Sequence, residues 1–423
     1  MKSETQVQSW RAIEALRAGV PNRDAVRALG SSQPEIEARF RKQLAALKEE
    51  FQQGTAPAGT LITGDFGSGK SHLLEYLQHI SLENNFVCSK VVIGEETRLY
   101  GSAKVYNAAI LSAKVPDRTG PALVAAAQRL GNFKSSEYAE FFKWVNRPGS
   151  RLSTHFAATV FVFERSNDPE VSDRIIQFWS GSKVYIPELR DWLRKLRESA
   201  TYKINKVSEK ELASQRWQFA PRLMIAAGYA GWVVLVDEVE LIASYRLQER
   251  AKSYGDVAHL LGKLEGAGVP GLTTVLSISK AFEGEVLYER NDEEKIVGRL
   301  RAAGTEEALL LASQAERGMR VIQRDKVLLE EPTEATIHAI YDKVRAIYAS
   351  AYGWNPPTDY RMPDRTLRIR QHIKRWINEW DLRRLYPEYT PDIEVAELRQ
   401  DLSEESDLEI APKEDSGESD MNL

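Results

Sequence analysis

The segment from Gly64 to Ser71, with the sequence Gly-Asp-Phe-Gly-Ser-Gly-Lys-Ser, constrains this chain more than any other feature. It matches the phosphate-binding loop G-x-x-x-x-G-K-[ST] at every fixed position. A short apolar run at 59–63 precedes it, and apolar residues with helical spacing follow at 71–77. Because the order of strand, loop and helix that the motif needs is present, the segment predicts a site for a nucleoside triphosphate.

The side chains and backbone of this phosphate loop have predicted roles. Its glycines let the backbone wrap closely around phosphates and present N–H groups at the positive end of the following helix. Lys70 is expected to reach the β- and γ-phosphates, and Ser71 is expected to place its hydroxyl on Mg²⁺. The predicted nucleotide-contacting residues are Gly64, Asp65, Phe66, Gly67, Ser68, Gly69, Lys70, Ser71 and His72.

A second motif lies far downstream, where the apolar run 232–236 ends in Asp237 and Glu238. A carboxylate at the carboxyl end of a strand lies near the Mg²⁺ of a phosphate-loop site, so Asp237 is expected to hold the metal. Glu238 is expected to orient and deprotonate the attacking water as a general base. Alone, such a run is more often a capped strand end. Together with the upstream phosphate loop, the pair Asp237 and Glu238 predicts hydrolysis of ATP with Mg²⁺ as cofactor.

Five segments are short and apolar, as the strands of a buried parallel sheet are. They are 59–63, 86–93, 232–236, 272–279 and 327–330. Helical spacing fills much of the remaining chain, so the sequence predicts an α/β fold with a parallel five-stranded sheet of the P-loop NTPase type. The fourth segment ends in small polar residues. Ser277 or Ser279 is therefore expected to contact the γ-phosphate or the attacking water.

The sequence divides into four predicted parts: an N-terminal helical segment at 1–58, an ATPase core at 59–332, a helical lid at 333–390 and an acidic tail at 391–423. The stretch 94–230 is too long for a simple connection and has helical periodicity, which predicts a helical insertion at about 120–225 within the core. Its tryptophans lie among basic residues. Packing in a core is the more frequent explanation of that pattern than a nucleic-acid surface.

Charge is distributed unevenly along the chain. From Pro391 to the end, 12 acidic residues stand against two basic ones, although the whole chain carries only −4, so the remainder carries +6. The acidic end is rich in serine and lacks aromatic residues, so it cannot bury enough apolar surface to fold alone. It is predicted to be a disordered tail, with a partner-binding or self-masking arm as the alternative.

Composition bounds the class of protein. An apolar fraction of 43% and a charged fraction of 28% are typical of a globular chain and exclude a fibrous or wholly disordered one. The single cysteine, Cys88, excludes an internal disulfide framework and fits a reducing compartment. No apolar run approaches the roughly 20 residues of a membrane-spanning helix. We therefore expect a soluble, cytoplasmic protein with no membrane partner.

The order of these features resembles the AAA+ ATPases: a phosphate loop, carboxylates on a nonadjacent later strand, a polar strand end and a helical lid. The resemblance covers most of residues 10 to 385. Within that class the chain is similar to the ATP-binding proteins of bacteriophage-exclusion (BREX) systems, in the BrxD-like branch. The segments that carry this second resemblance are 11–22 with the sequence RAIEALRAGVPN, 64–72 with GDFGSGKSH and 236–240 with VDEVE.

The resemblance implies a fold similar to origin-recognition and helicase-loader ATPases. It further implies a nucleotide-switched homo-oligomer that associates with double-stranded DNA and acts beside a helicase or other phage-defence proteins. By the same resemblance, Arg368 falls where the nucleotide-sensing arginine of the lid is expected. Because Leu367 replaces the usual proline before it, Arg370 is a rival. Arg301, with Arg299 as its rival, is expected to reach the γ-phosphate of a neighbouring subunit.

Other classes of function stay open at this point. A signalling or scaffold ATPase would bind protein partners through its helical insertion and would not touch nucleic acid. The acidic tail and the net negative charge of the chain favour that alternative. A metabolic kinase is less favoured because the pair Asp237 and Glu238 suits attack by water.

Overall fold

A parallel β-sheet forms the centre of the protein. The computed structural model describes residues 3–19, 22–116, 118–130, 133–358 and 368–388, and the predicted acidic tail lies outside these ranges. The strands in the described residues are β1 (Thr60–Gly64), β2 (Val87–Val92), β3 (Trp232–Asp237), β4 (Leu272–Ser279) and β5 (Lys326–Leu328). Their order is β2-β3-β4-β1-β5, and every neighbouring pair is parallel. The predicted α/β fold with a five-stranded parallel sheet is confirmed.

The register of the sheet brings the two predicted motifs to one edge. Strand β4 lies between β1 and β3, with Leu276 opposite both Leu61 and Val236. The carboxyl ends of β1 and β3 therefore point the same way, on either side of β4. The phosphate loop leaves β1 at this edge, and Asp237 ends β3 there. Such an edge is where open parallel sheets bind ligands.

Helices cover the sheet and fill the connections. Before β3 they are α1 (Glu4–Ala18), α2 (Arg23–Leu29), α3 (Pro34–Gln52), α4 (Lys70–Glu83), α5 (Ser102–Ser112), α6 (Ala122–Leu130), α7 (Ser136–Val145), α8 (Thr154–Arg165), α9 (Pro169–Trp179), α10 (Ile186–Lys195) and α11 (Glu209–Ala226). Local chemistry sets several ends. The Asn22 side chain accepts a hydrogen bond from the Ala25 N–H at 2.8 Å and starts α2, and Pro34 opens α3.

The described residues after β3 are also mainly helical. A 3₁₀ helix (Val239–Ser244) precedes α12 (Leu247–Leu260), and a π-helix (Glu283–Glu289) follows β4; the later helices are α13 (Asp292–Ala303), α14 (Glu306–Arg324), α15 (Glu334–Tyr352) and α16 (Ile369–Leu385). In the described ranges, no helix is both long enough and apolar enough to cross a membrane.

Alternate strand residues face two hydrophobic cores. Ile62 and Leu235 pack with α3 and α4 on one face of the sheet. Leu61 and Val236 belong to a larger core on the other face, which includes residues of α5 to α14. This alternation is what a period of two residues per strand dictates when both faces are covered. The rigid sheet thus fixes where the phosphate loop and Asp237 lie.

Seven helices of the described chain, α5 to α11, lie between β2 and β3 and are here called the insertion; the predicted bounds of about 120–225 leave out α5. An aromatic cluster holds part of it together: Phe156 and Trp179 each pack against Phe219, with ring centroids 4.9 and 5.6 Å apart. The indole N–H of Trp179 donates to the Thr159 hydroxyl at 3.0 Å. The segment between β2 and β3 contains four tryptophans, and three of them, Trp179, Trp192 and Trp217, are buried. These side chains belong to the core.

The first two helices pack with the last two. Helices α1, α2, α15 and α16, here called the terminal bundle, share a hydrophobic core of their own that includes Ile13, Tyr348 and Trp376. An ion pair between Arg17 and Asp381, with a nitrogen to oxygen distance of 2.7 Å, joins the two ends of the described chain. The terminal bundle therefore unites the amino-terminal helices with the predicted lid region.

Candidate nucleotide site

The phosphate loop leaves β1 after Gly64 and enters α4 at Lys70. Gly67 and Gly69 have φ angles of +77° and +100°, a region that L-residues with a side chain rarely adopt. A β-carbon added to Gly67 would also lie only 3.3 Å from the Cδ of Arg368. Glycine at this position therefore permits both the bend of the loop and the close approach of the Arg368 side chain.

Lys70 is held across the loop that precedes it. Its ammonium donates hydrogen bonds to the carbonyl oxygens of Gly64 at 3.0 Å and Asp65 at 3.2 Å. A carboxylate oxygen of Glu240 lies 3.8 Å away, and the side chain of Lys70 is 7% exposed. The positive charge is thus fixed beside the amino end of α4, where an anion is also favoured by the backbone N–H groups.

Asp237 and Ser277 form a buried pair at the ends of β3 and β4. The Ser277 hydroxyl donates to Oδ1 of Asp237 at 2.6 Å, and the Glu238 backbone N–H donates to the same oxygen at 3.2 Å. Ser277 is fully buried and is not in the wall of the cavity described below. The structure therefore places Ser277 beside the predicted metal ligand Asp237.

Glu238 has an unusual backbone. Its φ and ψ angles are 60° and 36°, in the left-handed region, although it is not glycine. Such residues cost free energy and cluster at functional sites, where surrounding structure holds them in place. The turn directs the chain from β3 into the 3₁₀ helix, and Glu238 lines the cavity beside the phosphate loop. Its position suits the role of general base that the sequence predicted.

A cavity of about 530 Å³ extends from the phosphate loop to the terminal bundle. The end formed by the loop is polar, with Ser68, Lys70 and Ser71 in its wall. The other end is mostly apolar and is lined by side chains that include Leu16, Leu29, Ile340, Ile369 and Ile373. A cavity of this size with one polar and one apolar end is typical of small-molecule sites. Its shape suits a ligand with a phosphate group and an aromatic base.

Two buried hydrogen-bond donors beside the loop have no partner among the described residues: Oγ of Ser68 and Nη1 of Arg368. Buried polar groups are nearly always paired, so such atoms need an explanation. Both can donate a hydrogen bond to a phosphate oxygen. Together with Lys70 they fit a triphosphate. Ser71 in the cavity wall and Asp237 at the carboxyl end of β3 offer the oxygen ligands that Mg²⁺ prefers.

His72 ties the phosphate-loop helix to the end of α2. Its Nε2 lies 2.7 Å from the carbonyl oxygen of Gly30. Burial lowers the pKa of His72 below the usual histidine value, which favours the neutral ring. From the other side, the Lys343 ammonium on α15 donates to the carbonyl oxygen of Leu29 at 2.6 Å. The carbonyl groups at the end of α2 and just after it are therefore held by both the phosphate-loop helix and α15.

The four predicted arginines lie in two places. Arg368 packs against Gly67, and Arg370 is in the cavity wall, so both rivals for the lid role lie at the site. Arg299 and Arg301 lie on α13, exposed and outside the cavity wall. Arg301 forms an ion pair with Glu316 on α14 at 2.9 Å. The structure thus brings the first pair, and not the second, to this cavity.

Glu240 is a site residue to which the sequence analysis gave no role. It is completely buried beside Lys70, and neither carboxylate oxygen has a hydrogen-bond partner in the described part of the chain. Burial raises the pKa of Glu240 to about 7 from the usual value, with Lys70 acting in the opposite direction. From the sequence alone, a carboxylate three residues after the end of an apolar strand is predicted to be an exposed helix residue. Only the packing of the 3₁₀ helix shows that it points inward.

Comparison with known proteins identifies the family. The sequence model of the family described as "BREX system ATP-binding protein BrxC/D" matches residues 6–128 and 200–373, more than half of the chain. The matched ranges include the phosphate loop, Asp237 and Glu238, whereas 129–199, which contains α7 to α10, lies outside them. No curated protein and no solved structure matches the chain. This protein therefore belongs to the BrxC/D family of ATP-binding proteins of the BREX phage-defence system.

Proposed function

We propose that the protein hydrolyses ATP to ADP and phosphate. The observation that carries this proposal is the position of Glu238 in the same cavity wall as the phosphate loop. Lys70 binds phosphate oxygens, and Glu238 orients the attacking water and takes its proton. Ser71 and Asp237 hold Mg²⁺, which neutralises charge on the phosphates when it is bound.

The arrangement further supports an AAA+ architecture. Strand β4 separates the phosphate-loop strand from the carboxylate strand, and the terminal bundle closes the apolar end of the cavity. In this proposal α15 and α16 act as the lid, the base of ATP lies between Leu29 and Ile340, and Arg368 contacts the phosphates. Arg370 is its rival for that contact. The buried Nη1 of Arg368 supports the choice of Arg368.

Substitution of Glu238 tests the hydrolytic role. Glu238→Gln keeps the shape of the side chain and removes the base, so phosphate release falls by roughly 10²- to 10⁴-fold while ATP binding is retained. Glu249→Gln is a matched control, because Glu249 is half-buried on α12 and contacts Tyr100 instead of the cavity. Phosphate release by Glu238→Gln at the parental rate would exclude Glu238 as the base.

We also propose that the protein associates with double-stranded DNA. Residues 183–206 of the insertion carry exposed basic side chains, including Lys183, Arg190, Arg194, Lys195, Lys203 and Lys206. Arg194 and Lys195 share Asp191 as ion-pair partner, whereas no ion pair is found for Lys203 and Lys206 among the described residues. Clustered basic side chains give sequence-independent contact with phosphates. Such contact would position a helicase or another phage-defence protein beside the DNA.

Salt-dependent binding of a labelled DNA duplex tests this role. The double variant Lys203→Ala and Lys206→Ala is expected to weaken binding and to reduce the slope of log affinity against log salt by about one per lost contact. Lys295→Ala removes an exposed lysine of α13 and serves as the control. A protein ending at residue 390 is expected to bind more tightly, because the acidic tail competes for the same surface. No binding at low salt by either form would favour the scaffold alternative.

We propose a homo-oligomer in which Arg301 completes the site of a neighbouring subunit, with Arg299 as the rival. The Arg301 side chain is 58% exposed, and its partner Glu316 offers only a surface ion pair. An arginine acting in trans is worth about 10³- to 10⁵-fold in the rate of phosphoryl transfer, so Arg301→Ala is expected to lose hydrolysis and keep ATP binding. Mixing Arg301→Ala with Glu238→Gln should restore part of the activity. Co-assembly without restoration would refute the trans role.

A further inference from the structure

We propose that Glu240 is a positioning residue for Lys70: its buried carboxylate holds the Lys70 ammonium in place and sets the net charge beneath the bound phosphates. This inference rests on the proposed nucleotide site. It assigns a role to a residue beyond the pair Asp237 and Glu238, and it makes the phosphate loop dependent on the 3₁₀ helix that follows β3.

The geometry of the pair carries the proposal. Glu240 lies on the 3₁₀ helix Val239–Ser244, is completely buried, and places one carboxylate oxygen 3.8 Å from the Lys70 nitrogen. Among the described residues, Lys70 is its only ion-pair partner, and both carboxylate oxygens lack a hydrogen bond. A buried carboxylate without hydrogen bonds is costly. The attraction to Lys70 is the largest interaction that offsets this cost.

The distance matters for what Lys70 can still do. An ammonium group has three N–H donors, and two of them are used by the carbonyl oxygens of Gly64 and Asp65. At 3.8 Å the contact with Glu240 is an attraction between charges and does not use the third donor. Glu240 therefore fixes the ammonium while one N–H stays available for a phosphate oxygen.

The charge of Glu240 also acts on the ligand. The charged groups that face it are Lys70, Glu238 and Asp237. Burial raises the pKa of Glu240 to about 7, so its negative charge grows between pH 6 and pH 8. A negative charge below the loop opposes the binding of a triphosphate. We therefore expect Glu240 to weaken ATP binding while it improves the placement of Lys70 for the reaction.

The variant Glu240→Gln separates these two effects because it keeps the shape and removes the charge. At pH 8 its Kd for MgATP is expected to be about threefold to tenfold lower than that of the parent. At pH 6 the two proteins should bind almost equally, since most of the parental carboxyl is then neutral. At pH 8 its kcat is expected to fall about tenfold, because the ammonium loses its anchor. Comparing the two proteins at each pH cancels the titration of ATP itself.

A purely structural role predicts a different pattern. In that case Glu240→Gln would change the melting temperature while Kd and kcat per folded molecule stayed at the parental values, and the inference would be overturned. Glu249→Gln controls for the loss of a carboxylate elsewhere. If Glu240→Gln does not fold, Glu240→Asp is measured instead, because its shorter side chain keeps the charge but places it farther from Lys70. It is expected to lower kcat, and a parental kcat would overturn the inference.

Failure of the inference differs from failure of the proposed function. If the parent neither binds nor hydrolyses MgATP, the proposed function is wrong and the inference falls with it. If the parent hydrolyses ATP and Glu238→Gln does not, while Glu240→Gln equals the parent in Kd and kcat at pH 6 and pH 8, only the inference is wrong.

Discussion

The nucleotide edge of the sheet and the helical insertion differ in whether their buried polar side chains have hydrogen-bond partners. In the insertion the Trp179 N–H is bonded to Thr159, and the guanidinium of Arg216 donates to the Phe178 carbonyl oxygen at 3.0 Å. Across the described residues 133–216, no buried side-chain nitrogen or oxygen lacks a hydrogen bond. Near the phosphate loop, Ser68, Glu240 and Arg368 all carry such unpaired atoms.

This difference indicates what each region is built for. A protein that only had to fold would pair its buried polar groups, because an unpaired group costs about 1 to 3 kcal/mol. The insertion follows that rule, and part of it lies outside the family match. At the nucleotide edge, a phosphate ligand would supply partners for the unpaired donors of Ser68 and Arg368, whereas the Glu240 carboxylate faces Lys70 instead. Substitutions of buried residues should therefore change mainly stability in the insertion and mainly nucleotide binding at the edge.

The largest effect on stability is expected from Trp179→Ala. The side chain is fully buried, and its ring centroid lies 5.0 Å from that of Phe163 and 5.6 Å from that of Phe219. Its loss is expected to lower the free energy of unfolding by about 3 to 5 kcal/mol, measured by urea denaturation. The Kd for MgATP of the folded fraction should stay the same. Leu111→Ala, which removes a side chain 86% exposed, is the control. A higher Kd for MgATP in the folded fraction would contradict the assignment of the insertion to stability alone.

A smaller, pH-dependent effect is expected from Asp256→Asn. Asp256 borders a small cavity between α12 and the insertion, and burial raises its pKa from the usual value to about 7. A raised pKa in the folded state means that stability is greatest below the unfolded pKa of about 4 and falls as the pH rises to about 7. The asparagine variant lacks this fall. A pKa raised from about 4 to about 7 corresponds to roughly 4 kcal/mol, and because Asp256 is only half-buried we expect about half of it. The stability of the variant relative to the parent should therefore rise by about 2 kcal/mol between pH 4 and pH 8.

The control for this measurement is Glu265→Gln, which changes an exposed carboxyl of the same region. The free energy of unfolding of each protein is measured by urea denaturation across the pH range. A difference between Asp256→Asn and the parent that does not change with pH would contradict the burial of this carboxyl.

The smallest effect is expected from His72→Ala. The variant loses the hydrogen bond between Nε2 and the Gly30 carbonyl oxygen, which costs about 1 kcal/mol of stability. It also frees the end of α2 from the phosphate-loop helix, so the Kd for MgATP is expected to rise a few-fold. Thermal unfolding with and without MgATP measures both quantities. An unchanged Kd together with reduced stability would show that His72 stabilises the fold and does not affect nucleotide binding, as is expected of buried residues in the insertion.

The strands of the fold could be predicted because a buried parallel strand is a short run of mainly apolar and β-branched residues. The edge strand β5 was predicted at 327–330 and lies at Lys326–Leu328, since three residues at an edge carry little pattern. The terminal bundle could not be predicted. Its helices have apolar stripes, which predict burial but do not show which element packs against them. Arg17 and Asp381, which form an ion pair between these helices, are more than 300 positions apart in the sequence.

The phosphate loop and the pair Asp237 and Glu238 could be predicted because their chemistry depends on local spacing. The role of Glu240 could not, since its burial depends on how the 3₁₀ helix packs below Lys70. The choice between Arg368 and Arg370 also depends on tertiary packing. Both arginines lie at the cavity. Because they are two positions apart at the start of the same helix, the sequence alone does not show which one contacts the nucleotide.

The central claim is that the phosphate loop binds ATP, and calorimetric titration of the parent and Lys70→Ala with MgATP tests it most directly. The contact of a charged ammonium with phosphate is worth up to about 3 kcal/mol, so the variant is expected to bind about 100-fold more weakly. The parent should bind one MgATP per chain. Equal Kd values for the two proteins, with both shown to be folded, would contradict the claim.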